Sequence, residues 1–330
     1  MKEFIIGKND AGQRLDRFVA KAAPMLPASL AQKYIRIKRV KVGGKGAKRD
    51  YKLIVGDTVE MYINDEFFDA PRDDNAYLKI TSPSPDIVYE DENILLLNKK
   101  AGVLCHSGER GAGDGGGAGE GVSLIAEVQA YLYQKGEWRP ALEHAFAPAL
   151  CNRIDRNTSG IVLAAKNAEA LRIVNEKIKR REIDKYYLAA VHGAPSPPQG
   201  LLEGYIFKDS VKNQVFVSKT SRPGTKYAAT EYRTVAAEGQ LSLLECRLLT
   251  GRTHQIRAQL ADIGCPLLGD GKYGSERMNR QYSEGRQALC SYKLVFAFKT
   301  DAGLLSYMDK KTFQLRGIGF VDKYFSSIDF

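Results

Sequence analysis

Apolar residues near the start of the chain recur at helical spacing twice and then alternate. In the stretch 13–26, QRLDRFVAKAAPML, Leu15, Phe18, Val19 and Ala22 fall three or four positions apart, which predicts one buried helix face. Pro24 and Pro27 break it. A second helix is predicted from Ser29, with Gln32 completing a capping box and Leu30, Tyr34 and Ile37 sharing a face. VKVGG (40–44) reads as a strand entering a turn. VGDTVEMYI (55–63) reads as a Gly-Asp turn and a strand with Val59, Met61 and Ile63 on one side. Residues 1–66 are therefore expected to form a small α/β module. Residues 67–85, with Pro71, Pro83 and Pro85 among acids and serines, are expected to connect it to residues 86–330.

From position 86 the pattern shifts toward strands. DIVYEDENILLLNKKAG (86–102) reads as strand, turn, strand. Residues 107–121 hold eight glycines in fifteen positions, too many to hold one fold, and are expected to be a mobile insertion. No lysine-serine or lysine-threonine pair follows to make them a phosphate loop. A helix is predicted from Ser123, a strand over 160–165, and a helix over 167–183 with Leu171, Val174 and Ile178 as its stripe. KYYLAAVHG (185–193), 213–219, 228–238, 241–251 and 288–298 read as strands. RTHQIRAQLADIG (252–264) reads as a helix with Ile256, Leu260 and Ile263 on one face. The class is α+β with a mostly antiparallel sheet and few helices.

Charge narrows the partner. The 330 residues carry a formal net charge of +10 with 44% hydrophobic residues, a balance suited to a polyanion. Between Lys33 and Lys52 nine cations, Lys33, Arg36, Lys38 and Arg39 among them, face one acid. Such a run is either a solvated face or a salt-sensitive phosphate contact. No run of eighteen apolar residues exists, so a bilayer span and a membrane role are not expected. Cys105, Cys151, Cys246, Cys265 and Cys290 are scattered without metal spacing. Reduced thiols, a cytoplasmic setting and no metal site follow as expectations.

Three places hold residues that a buried strand does not need. In LCNRIDRNTSGIVLAAK (150–166), Asp155 lies in a turn between Arg153 and Arg156. An ordinary surface ion pair is the simplest reading, and exposed pairs contribute under ~1 kcal/mol. TGRTHQIR places Arg252 and Arg257 around a helix N-terminus, where a cation opposes the dipole unless an anion is near. Tyr186 and Tyr187 are adjacent in a strand, so one faces the core and the other the opposite side. Together these residues suit a carboxylate held beside an arginine, with an aromatic ring on which a nucleobase stacks. His254 has neither a nucleophile elbow nor a second histidine at motif spacing, and reads as a structural hydrogen-bonder.

These stretches also carry a family resemblance. NRIDRNTSGIVLAAK resembles the H-R-L-D-x-x-T-S-G signature of the RluA-type pseudouridine synthases, and KYYLAAVHG resembles their K-x-Y strand. LLTGRTHQIRAQLADIGCPLLGDGKYG and IVYEDENILLLNKKAGV are similar to two further blocks of the family, in the same order. The likeness covers about 86–300. Residues 1–66 resemble the ribosomal protein S-four-like RNA-binding domain at the head of the RluC/RluD branch. Asn152 stands where the family has histidine, and Lys100 where it has proline.

The resemblance implies a pseudouridine synthase fold and an isomerase that converts uridine to pseudouridine in RNA, with no cofactor. Asp155 would be the catalytic carboxylate, attacking the ribose or abstracting a ribose proton. Arg257 would pair with it and keep it ionised, and Tyr187 would stack on the target base. Arg153 would enter the space left by the extruded nucleotide. Arg156, Arg252, Lys33, Arg36, Lys38 and Arg39 are expected to contact RNA. The implied target is large-subunit ribosomal RNA, acted on by a monomer. Transfer RNA, or a non-catalytic role as a ribosome-assembly factor, are the other readings.

Overall fold

The computed structural model describes residues 1–68, 73–107, 122–209, 214–282 and 284–328. The N-terminal module consists of β1 (Lys2–Ile5), α1 (Leu15–Ala22), α2 (Ala28–Arg36), β2 (Val40–Val42), β3 (Lys45–Gly46) and β4 (Thr58–Met61). Its four strands pair in the order β1-β4-β2-β3. Leu15, Phe18 and Val19 of α1 and Ala31 and Ile35 of α2 pack on Val40, Val59 and Met61 to form a core of the module's own. The turn around Asn9 docks on the remaining chain: Asn9 donates to Glu143 at 2.7 Å, and the Asp10 carboxylate accepts the Ala145 N–H at 2.9 Å.

The larger part comprises β5 (Ile87–Glu90), β6 (Ile94–Lys99), α3 (Leu124–Gln134), β7 (Ala149–Leu150), β8 (Ser159–Ala165), α4 (Ala168–Lys179) and β9 (Ile183–His192). There follow β10 (Gln199–Asp209), β11 (Gln214–Ser218), β12 (Lys226–Glu238), β13 (Leu241–Leu248), α5 (Gln255–Asp262), α6 (Glu276–Asn279), β14 (Leu289–Phe296), β15 (Thr312–Gln314) and α7 (Gly319–Tyr324). The strands make one sheet in the order β11-β10-β12-β13-β9-β14-β8-β6-β5, with β15 beside β14 and β7 beside β8. Every pairing among the described residues is antiparallel except β14 with β8. The expected α+β class with a mostly antiparallel sheet is the fold observed.

Both faces of the sheet's middle are covered, which is why its strands read as unbroken apolar runs. On β6, Leu95 and Leu97 point toward α3 and α5, while Ile94 and Leu96 point toward α4. On β9, Tyr187 and Ala189 join the first core, and Leu188 and Ala190 pack toward α7. The site lies on the first of these faces.

Several local expectations differ from the structure. The capping box at Ser29 does not form: α2 starts at Ala28, and its N-cap is Pro27 with no side-chain cap. The buried stripe of α2 runs through Ala31 and Ile35, leaving Ile37 49% exposed. Ile263 sits at the C-cap of α5 and is 39% exposed. In α4 the buried positions are Ala168, Ala170, Val174 and Lys177, with Leu171 and Ile178 half-buried. A 3₁₀ turn at Asp65–Phe67 straddles the start of the expected connecting segment, and a second lies within it at Asp73–Lys79. Tyr77 there packs edge-on against Trp138 and Tyr133, at 5.0 and 5.3 Å, so burial of its ring ties this stretch to α3. Apart from Ser107, the glycine-rich stretch lies outside the described residues.

Candidate active site

The turn 151–158 leaves β7 and returns as β8, and it is fastened along its length. Ile154 anchors it in the core. Thr158 N–H closes it on the Asp155 carbonyl at 3.0 Å. The Asn152 amide oxygen accepts the Leu163 N–H at 2.8 Å, so asparagine at this position ties the turn to β8. Lys99, 1% exposed, directs its ammonium at the carbonyls of Val103 (2.8 Å), Arg156 (2.9 Å) and Lys100 (3.1 Å). A buried cation answered by three carbonyls fixes the 100–103 loop to the Asp155 turn. Gly160, the second residue of β8, has φ 113°, and a Cβ there would lie 2.3 Å from the Ser291 carbonyl oxygen. That close approach to β14 is why the Thr-Ser-Gly run ends in glycine.

A second segment supplies the cation. Gln255, 3% exposed, stitches the loop before α5 together. Its Oε1 accepts the Thr250 hydroxyl at 2.7 Å and the Arg252 N–H at 3.0 Å, and its Nε2 donates to the Ala229 carbonyl at 3.0 Å. His254 then takes a left-handed conformation, φ 51°, and the first turn of α5 carries Arg257 inward. Arg257 Nη1 donates to Asp155 Oδ2 at 3.1 Å, across 102 positions of chain. The guanidinium's other side is held by Asp270, which accepts from Nε at 2.8 Å and Nη2 at 2.9 Å. Asp270 is oriented in turn by the Lys272 and Tyr273 N–H groups, and the Tyr273 ring lies 5.1 Å from the guanidinium. Gly269 and Gly274 around it have no room for a side chain: a Cβ would meet backbone oxygen at 2.2 and 2.6 Å.

Exposure grades outward along this chain of ion pairs. The Asp270 side chain is 0% exposed, that of Arg257 8% and that of Asp155 25%. Burial alone would lower the Arg257 pKa, but hydrogen bonds and charge from Asp270, and then Asp155, raise it well above the ordinary arginine range. Burial likewise opposes ionisation of Asp270, and Arg257 overcomes it and lowers that pKa. His254 Nε2 lies 3.9 Å from Asp155 Oδ2, and its Nδ1 shares a 2.9 Å hydrogen bond with the Tyr273 hydroxyl. Burial pushes the His254 pKa down to about 4, against a partial lift from Asp155, so the ring is neutral at physiological pH. Among the described residues Asp155 Oδ1 accepts no hydrogen bond, which leaves one oxygen of the carboxylate for an incoming group.

The turn, the loop before α5 and the end of α4 surround a cleft of about 1580 Å³. Asp155, Tyr187, Arg257, Arg153, Arg156 and Arg252 all line it. Tyr187 lines the cleft but is only 5% exposed, while Tyr186 points to the other face beneath Lys293, 4.2 Å from its ring. Arg156 Nε donates to the Gly102 carbonyl at 3.1 Å, and Arg252 Nε to the Tyr227 carbonyl at 3.0 Å. The wall counts twelve lysines and arginines against two aspartates, Asp155 and Asp184, the latter paired with Arg247, so the cleft is a strongly positive trough. Lys33, Arg36, Lys38 and Arg39 are exposed on the N-terminal module and are not part of this wall.

Sequence reasoning assigned no role to Asp270, Lys99, Lys185 or Tyr273. The first lies inside the quoted Gly-Asp-Gly-Lys-Tyr-Gly block and Lys99 inside Asn-Lys-Lys, so the signal was the motif itself. Lys185, in the Lys-Tyr-Tyr strand, lines the cleft, and burial lowers its pKa. His254 is the hydrogen-bonding residue expected, with the addition that it stands against Asp155. Among the described residues no group of three or more His, Cys, Asp or Glu side chains could hold a metal ion.

Comparison with known proteins gives consistent results. Residues 93–262 match a family model described as RNA pseudouridylate synthase. The chain is 32% identical over 284 residues to an "Uncharacterized RNA pseudouridine synthase" of Mycoplasma capricolum, covering 85% of this chain and 88% of that protein. It is 30% identical over 293 residues to "Ribosomal large subunit pseudouridine synthase C" of Escherichia coli, covering 88% and 85% respectively. Among solved structures, "Human RNA Pseudouridylate Synthase Domain Containing 4" superposes with a TM-score of 0.54 at 20% identity, over 74% of this chain and 94% of that one.

Proposed function

Because the chain belongs to the RNA pseudouridylate synthase family, and is thus an isomerase acting on RNA, we propose that it modifies large-subunit ribosomal RNA with Asp155 as its catalytic group. The observation that carries the residue assignment is the 3.1 Å pair of Asp155 and Arg257 at the floor of a cation-walled cleft. The target reading is supported by the 30% identity to a large-subunit synthase over 85% of that protein's length.

The reaction breaks the N1–C1′ bond of uridine and makes a C5–C1′ bond. The C5 proton is lost and N1 gains one, so atoms and electrons balance without an external reductant. In the proposed cycle an extruded uridine enters beside Tyr187, whose ring offers the stacking partner. Asp155 Oδ1 meets the ribose while Oδ2 stays on Arg257. Arg257 is itself clamped by Asp270 and so does not need to reorganise as charge moves at the carboxylate. Arg153 fills the place the nucleotide leaves, and Arg156 and Arg252 hold backbone phosphates at the mouth. Residues 1–66 act as a ribosomal protein S-four-like RNA-binding module that brings Lys33, Arg36, Lys38 and Arg39 to the same RNA.

Chemical mapping of pseudouridines in RNA from a strain lacking this chain tests the target. Loss of one or more sites in large-subunit ribosomal RNA, restored by the wild-type chain and not by Asp155→Asn, is the expected result. Loss confined to transfer RNA would overturn the ribosomal reading.

A further inference from the structure

Helix α4 closes with two hydrogen bonds. Arg181 N–H donates to the Ile178 carbonyl at 3.1 Å, and Glu182 N–H to the Lys177 carbonyl at 2.8 Å. This pairing reverses the chain through one left-handed residue, a place where glycine is the usual occupant because an L side chain is strained there. Here the residue is Arg181, at φ 59°. Packing does not explain the choice, since the side chain is exposed and stands in the cleft wall.

Beneath it lies an ion pair that the reaction does not use. Lys177 and Glu182 meet at 2.7 Å with side chains only 2% and 3% exposed. Glu182 also accepts the Lys299 N–H at 3.0 Å and the Thr300 N–H at 3.3 Å, and the Lys177 ammonium donates to the Thr300 hydroxyl at 2.7 Å. A buried ion pair is a weak source of stability, but this one joins two segments more than a hundred positions apart. The first segment sends Lys179, which pairs with Glu176, and Arg181 into the cleft wall, and the second sends Lys299, all exposed. Among the described residues neither Arg181 nor Lys299 has a carboxylate partner.

We propose that Arg181 and Lys299 form an anion subsite on the cleft rim that holds a backbone phosphate of the RNA strand beyond the target uridine. The inference rests on the RNA reading of the cleft. The left-handed residue aims one cation, the buried pair ties its segment to that of the other, and with Glu182 engaged by Lys177 and no carboxylate partner for either side chain among the described residues, both are left to an external anion. The subsite is separate from the Asp155–Arg257–Asp270 chain.

Arg181→Gly is the informative variant, because it deletes the guanidinium while relieving the left-handed strain. Its melting temperature is expected to equal or exceed that of the wild type. Its affinity for an unmodified ribosomal RNA transcript is expected to fall roughly 3- to 10-fold at moderate salt. The slope of log K against log salt should fall by about 0.7–0.9, one phosphate contact. In steady state the change is expected in KM rather than kcat. Lys299→Gln and Arg181→Asn, which also tolerates a left-handed backbone, should reproduce the effect if the glycine variant folds poorly. Wild-type affinity and salt slope in all three would overturn the subsite. A wild-type chain that modifies RNA while the variants bind normally refutes this inference alone, whereas a wild-type chain that modifies no RNA refutes the functional reading.

Discussion

Asp270 holds Arg257 with both carboxylate oxygens, at 2.8 and 2.9 Å, from a position with no exposed side-chain surface. The arginine that meets Asp155 is therefore oriented from behind. Asp270→Asn keeps the shape but removes the charge that raises the Arg257 pKa and fixes its plane. It should lower kcat roughly 10- to 100-fold and destabilise the fold by about 3 kcal/mol, because a buried charge loses its partner. Single-turnover pseudouridine formation with parallel urea unfolding checks both; an unchanged kcat would show that Arg257 needs no support from behind.

Asp155→Asn removes the partly exposed end of the same chain of ion pairs and leaves Arg257 bound to Asp270. Pseudouridine formation should fall at least about 10³-fold, the scale for loss of a group acting on the reacting bond. RNA affinity should stay near the wild-type value. Retained turnover, read by pseudouridine mapping of the treated transcript, would remove Asp155 from the mechanism.

His254 should titrate near 4, since burial lowers its pKa from 6.5 and the Asp155 charge restores only part of that. A histidine whose folded pKa is depressed contributes stability that is complete above about 6.5 and is lost as pH falls from 6.5 toward 4. Histidine NMR shifts followed across that window, in wild type and His254→Gln, check this. A midpoint near 6.5 would place the ring in water rather than against the carboxylate.

Gly160→Ala would put a methyl group 2.3 Å from the Ser291 carbonyl at a φ of 113°. The expected loss is about 3 kcal/mol or more, with activity falling further because β8 carries the Asp155 turn. Urea denaturation measures the first and turnover at low temperature the second. A variant as stable as wild type would mean that β8 and β14 can separate freely.

Lys33, Arg36, Lys38 and Arg39 are exposed at the end of α2 and just beyond it. Changing all four to glutamine should cut RNA affinity and reduce the salt slope by about 3, at 0.7–0.9 per phosphate. Equilibrium binding at several salt concentrations decides the matter, and an unchanged slope would make this cluster a solvated face.

The sheet was legible where strands are long and their apolar content high: β13 and β14 fall wholly within expected strands, β8 starts one residue before its expected start, and β9 starts at Ile183, a position expected to end the preceding helix. β10 was not, because its alternation is broken by Gly200 and Gly204, where a Cβ would meet Tyr232 and Val217 at 3.2 and 3.0 Å. β1 was passed over because four residues carry little pattern, and its pairing with β4 is nonlocal. The stripe of α2 slipped by one position because tertiary packing selected Ala31 and Ile35 over larger neighbours. Asp155 and Arg257 could be singled out from their local oddity. Asp270 had only its place in the Gly-Asp-Gly-Lys-Tyr-Gly block to mark it, because an aspartate in a glycine-rich loop otherwise looks like any turn residue until its partner is in view. In the residue string Arg181 is one of several cations at the end of a helix, and its left-handed backbone is invisible there.

The Asp155 turn is sewn down on three sides, by the Lys99 ammonium, by the Asn152 bond to β8 and by Ile154 in the core. So stiff a partner yields little when RNA arrives, and the deformation of the encounter falls on the nucleic acid. Uridines in loops, bulges or mismatches, which leave their neighbours at small expense, should outcompete those in regular duplexes. Rigidity at a carboxylate thereby becomes discrimination among RNA secondary structures, made without reading a base edge.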